Sequence, residues 1–244
     1  KKYVIDRQAA SRAAGASQPI PPEQRQPMPH SQFVVLVRRY FASLLGDRKN
    51  LLYLLLPAPL IGFLMTIPLN SDKPLDQLRL LLFMVITAVF IGCFNSFREI
   101  VKEKPIYKRE RMVNLQLVPY VLSTLLVLAV FFFAQNFVML SIVCLLETVP
   151  GSFFFHFTTL MAASLAAGTL GLIISAAVSS QEKAIGLLIM VLLPQIIFSG
   201  LIPLEGGSKA LGYVMVTYWG YDVMKELACS ESAIRLVLQA EDTR

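Results

Sequence analysis

Charge is what this sequence lacks most. Lys, Arg, Asp and Glu make up 16% of its 244 residues, where a soluble domain carries about a quarter. With 55% hydrophobic residues and several apolar runs near the ~20 residues that cross a bilayer as helix, the deficit excludes an ordinary water-soluble globule. Cysteine is scarce too. Cys93, Cys144 and Cys229 have neither metal-ligand spacing nor the pattern of a disulfide scaffold. Cys93 and Cys144 fall in apolar runs and read as packing residues. Cys229 falls in a stretch expected on the outer side, where an intermolecular disulfide is open to it. The two histidines, His30 and His156, stand alone, so neither reads as part of a metal site, and His156 reads as a packed or interfacial residue. There is no GxxxxGK[ST] phosphate loop, no GxSxG elbow and no Ser/His/Asp spacing, so no hydrolytic chemistry can be argued for these residues. The interiors of the apolar runs hold no acidic or basic residue, which argues against a proton- or sodium-driven carrier. The net charge of +6 does not indicate nucleic acid, because the cations gather at the ends of apolar runs, as in cytosolic loops of membrane proteins.

The densest charge lies in Asn95–Gln116, NSFREIVKEKPIYKRERMVNLQ. Apolar runs flank it, Leu78–Phe94 before and Leu117–Leu146 after. A charged stretch between two spans lies in water, and its positive excess places it in the cytosol. Opposite charges at Arg98, Glu99, Lys102 and Glu103 predict a helix supported by ion pairs three and four residues apart. Pro105 is expected to break that helix, with a short restart over Tyr107–Met112. Two readings stand: a stiff elbow that transmits force, or a solvated loop held by weak surface ion pairs.

Around this elbow the chain reads in order. Residues 1–30 form a Pro- and Gln-rich cytosolic linker, and the sequence is read as a fragment of a longer polypeptide. Residues 31–49 form an amphipathic helix, either at the membrane interface or as a cytosolic extension of the first span. Leu51–Leu69 is a first span kinked or unwound near Pro57 and Pro59. Leu78–Phe94, Leu117–Leu146, Phe153–Val178 and Ala184–Leu204 follow as spans two to five. The third is either one long tilted helix or a span whose ends leave the bilayer, with Gln135 and Asn136 near its middle. The fourth carries Ala163, Ala167 and Gly171 at four-residue spacing, a stripe for close helix packing. Residues 205–244 are expected outside, with Tyr213, Tyr218, Trp219 and Tyr221 at the membrane–water interface. The fold class is thus an all-α polytopic membrane protein with five spans over residues 50–204.

The elbow Glu103-Lys-Pro-Ile-Tyr-Lys-Arg-Glu-Arg111, followed by Tyr120, resembles the first intracellular loop of ABC-2 type transporter membrane domains, closest to the white/pleiotropic drug resistance type. Pro194–Pro203, PQIIFSGLIP, resembles the fifth span of that family. Tyr213–Leu227 resembles its outer re-entrant segment, and Ser31–Arg48 its connecting helix. The likeness covers roughly residues 31–228 and implies a type V exporter-like helical bundle of six spans, of which five are seen here. It further implies a fused or separate ABC ATPase domain that binds ATP and Mg outside this chain, a homodimer or pseudo-dimer, membrane lipids as partners, and export of a lipidic or amphipathic substrate. The linker ahead is similar to that of bacterial ATPase–permease fusions, which implies the inner membrane. Residue by residue, the resemblance makes Glu103, Tyr107, Arg109, Glu110 and Arg111 the segment that contacts the ATPase. It makes Phe94, Ile189, Leu193 and Ile196 the walls of the substrate cavity, and Leu201 and Ile202 the outer gate. The competing reading is a non-transporting membrane anchor or scaffold for a cytosolic signalling domain.

Overall fold

A computed structural model describes residues 29–46, 48–69, 73–111, 116–200 and 207–228. All of its regular structure is helical: α1 Pro29–Gly46, α2 Arg48–Leu55, α3 Pro57–Thr66, α4 Pro74–Ser96, α5 Glu99–Arg111, α6 Leu117–Leu146, α7 Phe153–Ala177, α8 Gln181–Ile197, α9 Gly207–Gly212 and α10 Val216–Ala228. The linker before Pro29, Leu201 and Ile202, and residues 229–244 with Cys229 lie outside the described residues.

Among the described residues, three helices, α4, α6 and α7, are long and apolar enough to cross a membrane, and a fourth span is added if the chain from α1 to α3 counts as one broken span. This differs from the expected five. The first span is divided between α2 and α3 at Leu56, one residue before Pro57, whose ring supplies no N–H to the preceding turn. The run Leu51–Thr66 leaves α1 at 96°. The fifth span was expected to continue to Leu204, but α8 is helical only through Ile197. Its 17 residues rise about 25 Å, short of a ~30 Å hydrocarbon core. After it the chain turns at Gly200, whose φ of +90° suits glycine, and α10 packs against α4, α7 and α8. The Gln195 side chain accepts from the Thr217 backbone N–H at 3.1 Å, and the Thr217 hydroxyl donates to the Gln195 carbonyl. These bonds satisfy one of the free N–H groups that open α10.

The core forms where small residues let α4 and α7 approach closely, the most extensive helix pair among the described residues. The expected stripe faces this seam: Ala163, Ala167 and Gly171 are buried, and a Cβ on Gly171 would lie 2.8 Å from the Cys93 carbonyl oxygen. Cys93 is buried as expected, and its thiol donates to the Ala167 carbonyl at 3.1 Å. Cys144, also expected to pack, is exposed. α6 is one continuous helix of 30 residues. Its adjacent amides leave in two directions. Gln135 faces α2 and α4, while Asn136 donates to the Ser164 hydroxyl at 2.8 Å, which passes the bond on to the Ala88 carbonyl at 3.0 Å. His156 is packed, with Nε2 2.7 Å from the Pro150 carbonyl and Nδ1 2.9 Å from the Met224 sulfur. Of the four expected interfacial aromatics, Tyr213 and Trp219 are exposed and Tyr218 half-buried, but Tyr221 is buried in the core.

Candidate functional site: the elbow and the adjoining cavity

Proline does not break the elbow. α5 runs unbroken from Glu99 to Arg111 through Pro105, where a break and restart were expected. The loss of one backbone donor is a local cost, and tertiary contacts on the N-terminal side of Pro105 outweigh it. The Val101 N–H donates to the Ser175 hydroxyl at 2.9 Å, and the Lys104 ammonium donates to the Val178 carbonyl at 2.9 Å. Val178 closes α7, so the Lys104 cation sits at the negative end of that helix dipole.

The elbow carboxylates are also held differently from the expected ion pairs. Glu99 is buried and accepts from the Tyr40 hydroxyl of α1 at 2.5 Å. Glu103 is half-buried and accepts from the Tyr120 hydroxyl of α6 at 2.9 Å. Arg98 lies over the Phe97 ring at 5.3 Å. Tyr107 stacks near Tyr120, with ring centroids 5.1 Å apart. One turn of α5 is therefore tied to α1, α6 and α7 together. α1 reaches it because Leu36, Tyr40 and Leu44 recur every four residues and are buried, and Tyr40 and Leu44 pack against Val127 and Phe131 of α6. Arg38 and Arg39 of α1 are exposed.

Of the five elbow residues named from the sequence, the structure joins Glu103 and Tyr107 at Tyr120. Arg109, Glu110 and Arg111 occupy the last turn of α5, and their side chains lie outside the described part. Tyr40, Glu99 and Ser175 were missed. A tyrosine hydroxyl on the buried stripe of α1 signals a polar partner elsewhere. Nothing local marks Ser175.

The proposed cavity walls separate. Phe94 borders a cavity of about 240 Å³ with Pro57 and Ile61 of α3, Phe90, Ile91 and Asn95 of α4, and Gln135 of α6. Ile189, Leu193 and Ile196 lie on α8, outside that lining, and all three are exposed to between 39% and 53%. In a single chain their apolar face is thus uncovered. A second cavity, of about 430 Å³, lies between α7 and α10 and includes Thr158, Ala162, Trp219 and Val223. Asn95, not foreseen, donates to the Gln135 side-chain oxygen at 2.7 Å, and Gln135 donates to the Leu54 carbonyl at the break of the first span.

The chain matches the family model described as ABC-2 type transporter over residues 31–226. It is 26% identical over 211 residues to the ABC transporter ATP-binding/permease protein Rv1747 of Mycobacterium tuberculosis. That match covers 78% of this chain and 24% of the relative, so the chain spans about a quarter of the curated relative's length. An all-helical bundle with a charged elbow, an exposed apolar face on α8 and a family match over most of its length leads to one conclusion: this chain belongs to the ABC-2 type transporter membrane-domain family.

Proposed function

We propose that the chain is the membrane domain of an ATP-driven exporter that moves a lipidic or amphipathic substrate by alternating access in a dimer. The observation that carries the reading is the elbow. One turn of α5 is bonded to α1, α6 and α7, so a displacement of α5 moves three elements as one. A solvated loop on surface ion pairs would dissipate the same push. In this reading an ABC ATPase domain, fused or separate, binds ATP with Mg and presses on the end of α5 at Arg109, Glu110 and Arg111. The name of the mycobacterial relative, an ATP-binding/permease protein, supports that partner. The uncovered face of α8, with Ile189, Leu193 and Ile196, meets a second copy across the substrate path, and Leu201 and Ile202 close it on the outer side. Apolar walls suit an apolar cargo. In this reading the setting is the bacterial inner membrane, and the relative is a bacterial protein.

The test is coupling. In proteoliposomes carrying the ATPase, Glu110→Ala is expected to lower ATP-dependent substrate movement at least tenfold while membrane insertion is unchanged. Wild-type rates in that variant sink the coupling role. If no ATPase co-purifies and ATP drives no movement in the wild type, the anchor or scaffold reading replaces this one.

A further inference from the structure

We infer that the cavity between α3, α4 and α6 is a binding site for a neutral amphiphile with a hydrogen-bond-donating head, a long-chain alcohol or another hydroxyl-bearing lipid. The inference does not depend on the transport reading.

The argument starts at the broken first span. The Leu54 carbonyl only accepts, so the Gln135 group facing it must be the NH₂. The Gln135 oxygen is then fixed on the other side, where it accepts from Asn95 Nδ2 at 2.7 Å. The relay has one possible polarity. It leaves Asn95 Oδ1 as its open end, and the bond to Gln135 is the contact that Asn95 makes among the described residues. Asn95 is half-buried on the cavity wall, while Gln135 is 1% exposed. Although Asn95 was expected in water with the elbow, it lies in the last turn of α4 against Gln135 of α6 and faces a largely apolar lining, where a carbonyl oxygen without a donor is costly. A ligand that donates one hydrogen bond relieves that cost.

The remaining walls define the rest of the ligand. Apart from Asn95 and Gln135 the lining is apolar, and it contains no ionisable side chain. A charged head would be desolvated there without a partner. The volume of about 240 Å³ holds about eight groups of water size at ~30 Å³ each. That admits the head and first carbons of a single chain, not a whole phospholipid. Asn95 lies four residues before Glu99, so the occupant would sit next to the elbow.

The experiment uses three diazirine-bearing probes on the chain in lipid nanodiscs: hexadecanol, its methyl ether and the plain alkane. The ether keeps the oxygen and loses the donor. Hexadecanol is expected to label peptides containing residues 57–61 and 90–95 at least fivefold more than the ether or the alkane. Asn95→Leu should erase that preference, and Ile61→Trp should reduce labelling by all three probes. Equal labelling of the wild type by alcohol and ether overturns the proposal, as does absence of labelling at these peptides. A preference that survives in Asn95→Leu assigns the donor to another group and also overturns it. The alcohol-to-ether comparison needs no variant, so it stands even if Asn95→Leu does not fold.

Discussion

Gly92→Ala is expected to destabilise the bundle by about 3 kcal/mol, the upper part of the range for overpacked cores. A Cβ on Gly92 would lie 2.3 Å from the Ser164 carbonyl oxygen, 3.0 Å from the Ala167 Cβ and 3.0 Å from the Gly168 nitrogen. Two of these obstacles are backbone atoms, so no side-chain rotation relieves the clash. α4 and α7 must separate along their whole seam. For a chain of this size the loss corresponds to a fall of about 6–12 °C in Tm, read by thermal unfolding in detergent. Gly186→Ala is the control. Its Cβ would meet nothing within 4 Å, and an exposed helical glycine gains about 0.5–1 kcal/mol on becoming alanine. If both variants melt together, the close seam is not what holds α4 to α7.

Tyr40→Phe is expected to cost about 1.5–3 kcal/mol, the range for a hydrogen bond to a charged group. The substitution removes the phenol and leaves the Glu99 carboxylate, which is 9% exposed, without the donor on α1. Tyr120→Phe should cost less, because Glu103 is only half-buried and water can replace the lost donor. A thermal double-mutant cycle of Tyr40→Phe with Glu99→Gln isolates the part of the coupling that comes from charge, since the amide keeps an acceptor and drops the charge. Equal losses for the Tyr40 and Tyr120 variants would show that burial does not set the difference. If the proposed coupling through α5 holds, Tyr40→Phe should also lower ATP-dependent substrate movement, because α1 would no longer follow α5.

The sequence made the class of fold legible because the bilayer imposes a strong rule. Every backbone group must be satisfied within its own segment, so long apolar runs become helices. α4, α6 and α7 therefore appear close to where periodicity and length place them. The small-residue stripe of α7 was readable for the same reason, since four-residue spacing defines one helical face. What failed depended on neighbours. Pro105 forecasts a break by local chemistry, but Val101 and Lys104 are anchored to α7, and that information lies 74 residues away. Glu99 and Glu103 have cations at helical spacing, yet Tyr40 and Tyr120 take them, from partners 59 and 17 residues distant. The end of α8 could not be foreseen either. Its apolar run continues past Ile197, and the bonds of Gln195 to Thr217 of α10 come from 22 residues away. The elbow was visible as a place and not as a set of bonds.

The neighbouring amides of α6 have a mechanical consequence. Successive residues on a helix point about 100° apart, so Gln135 and Asn136 lock onto different sides of the bundle. α6 is therefore keyed like a shaft in two slots. Rotation about its own axis would pull both amides from their seats at once. A shift by one residue would bring one amide to the seat of the other and carry the second away from its partners. The degrees of freedom left to α6 are tilt and translation together with the helices it grips. These bonds hold the first, second and fourth spans to the third as one block.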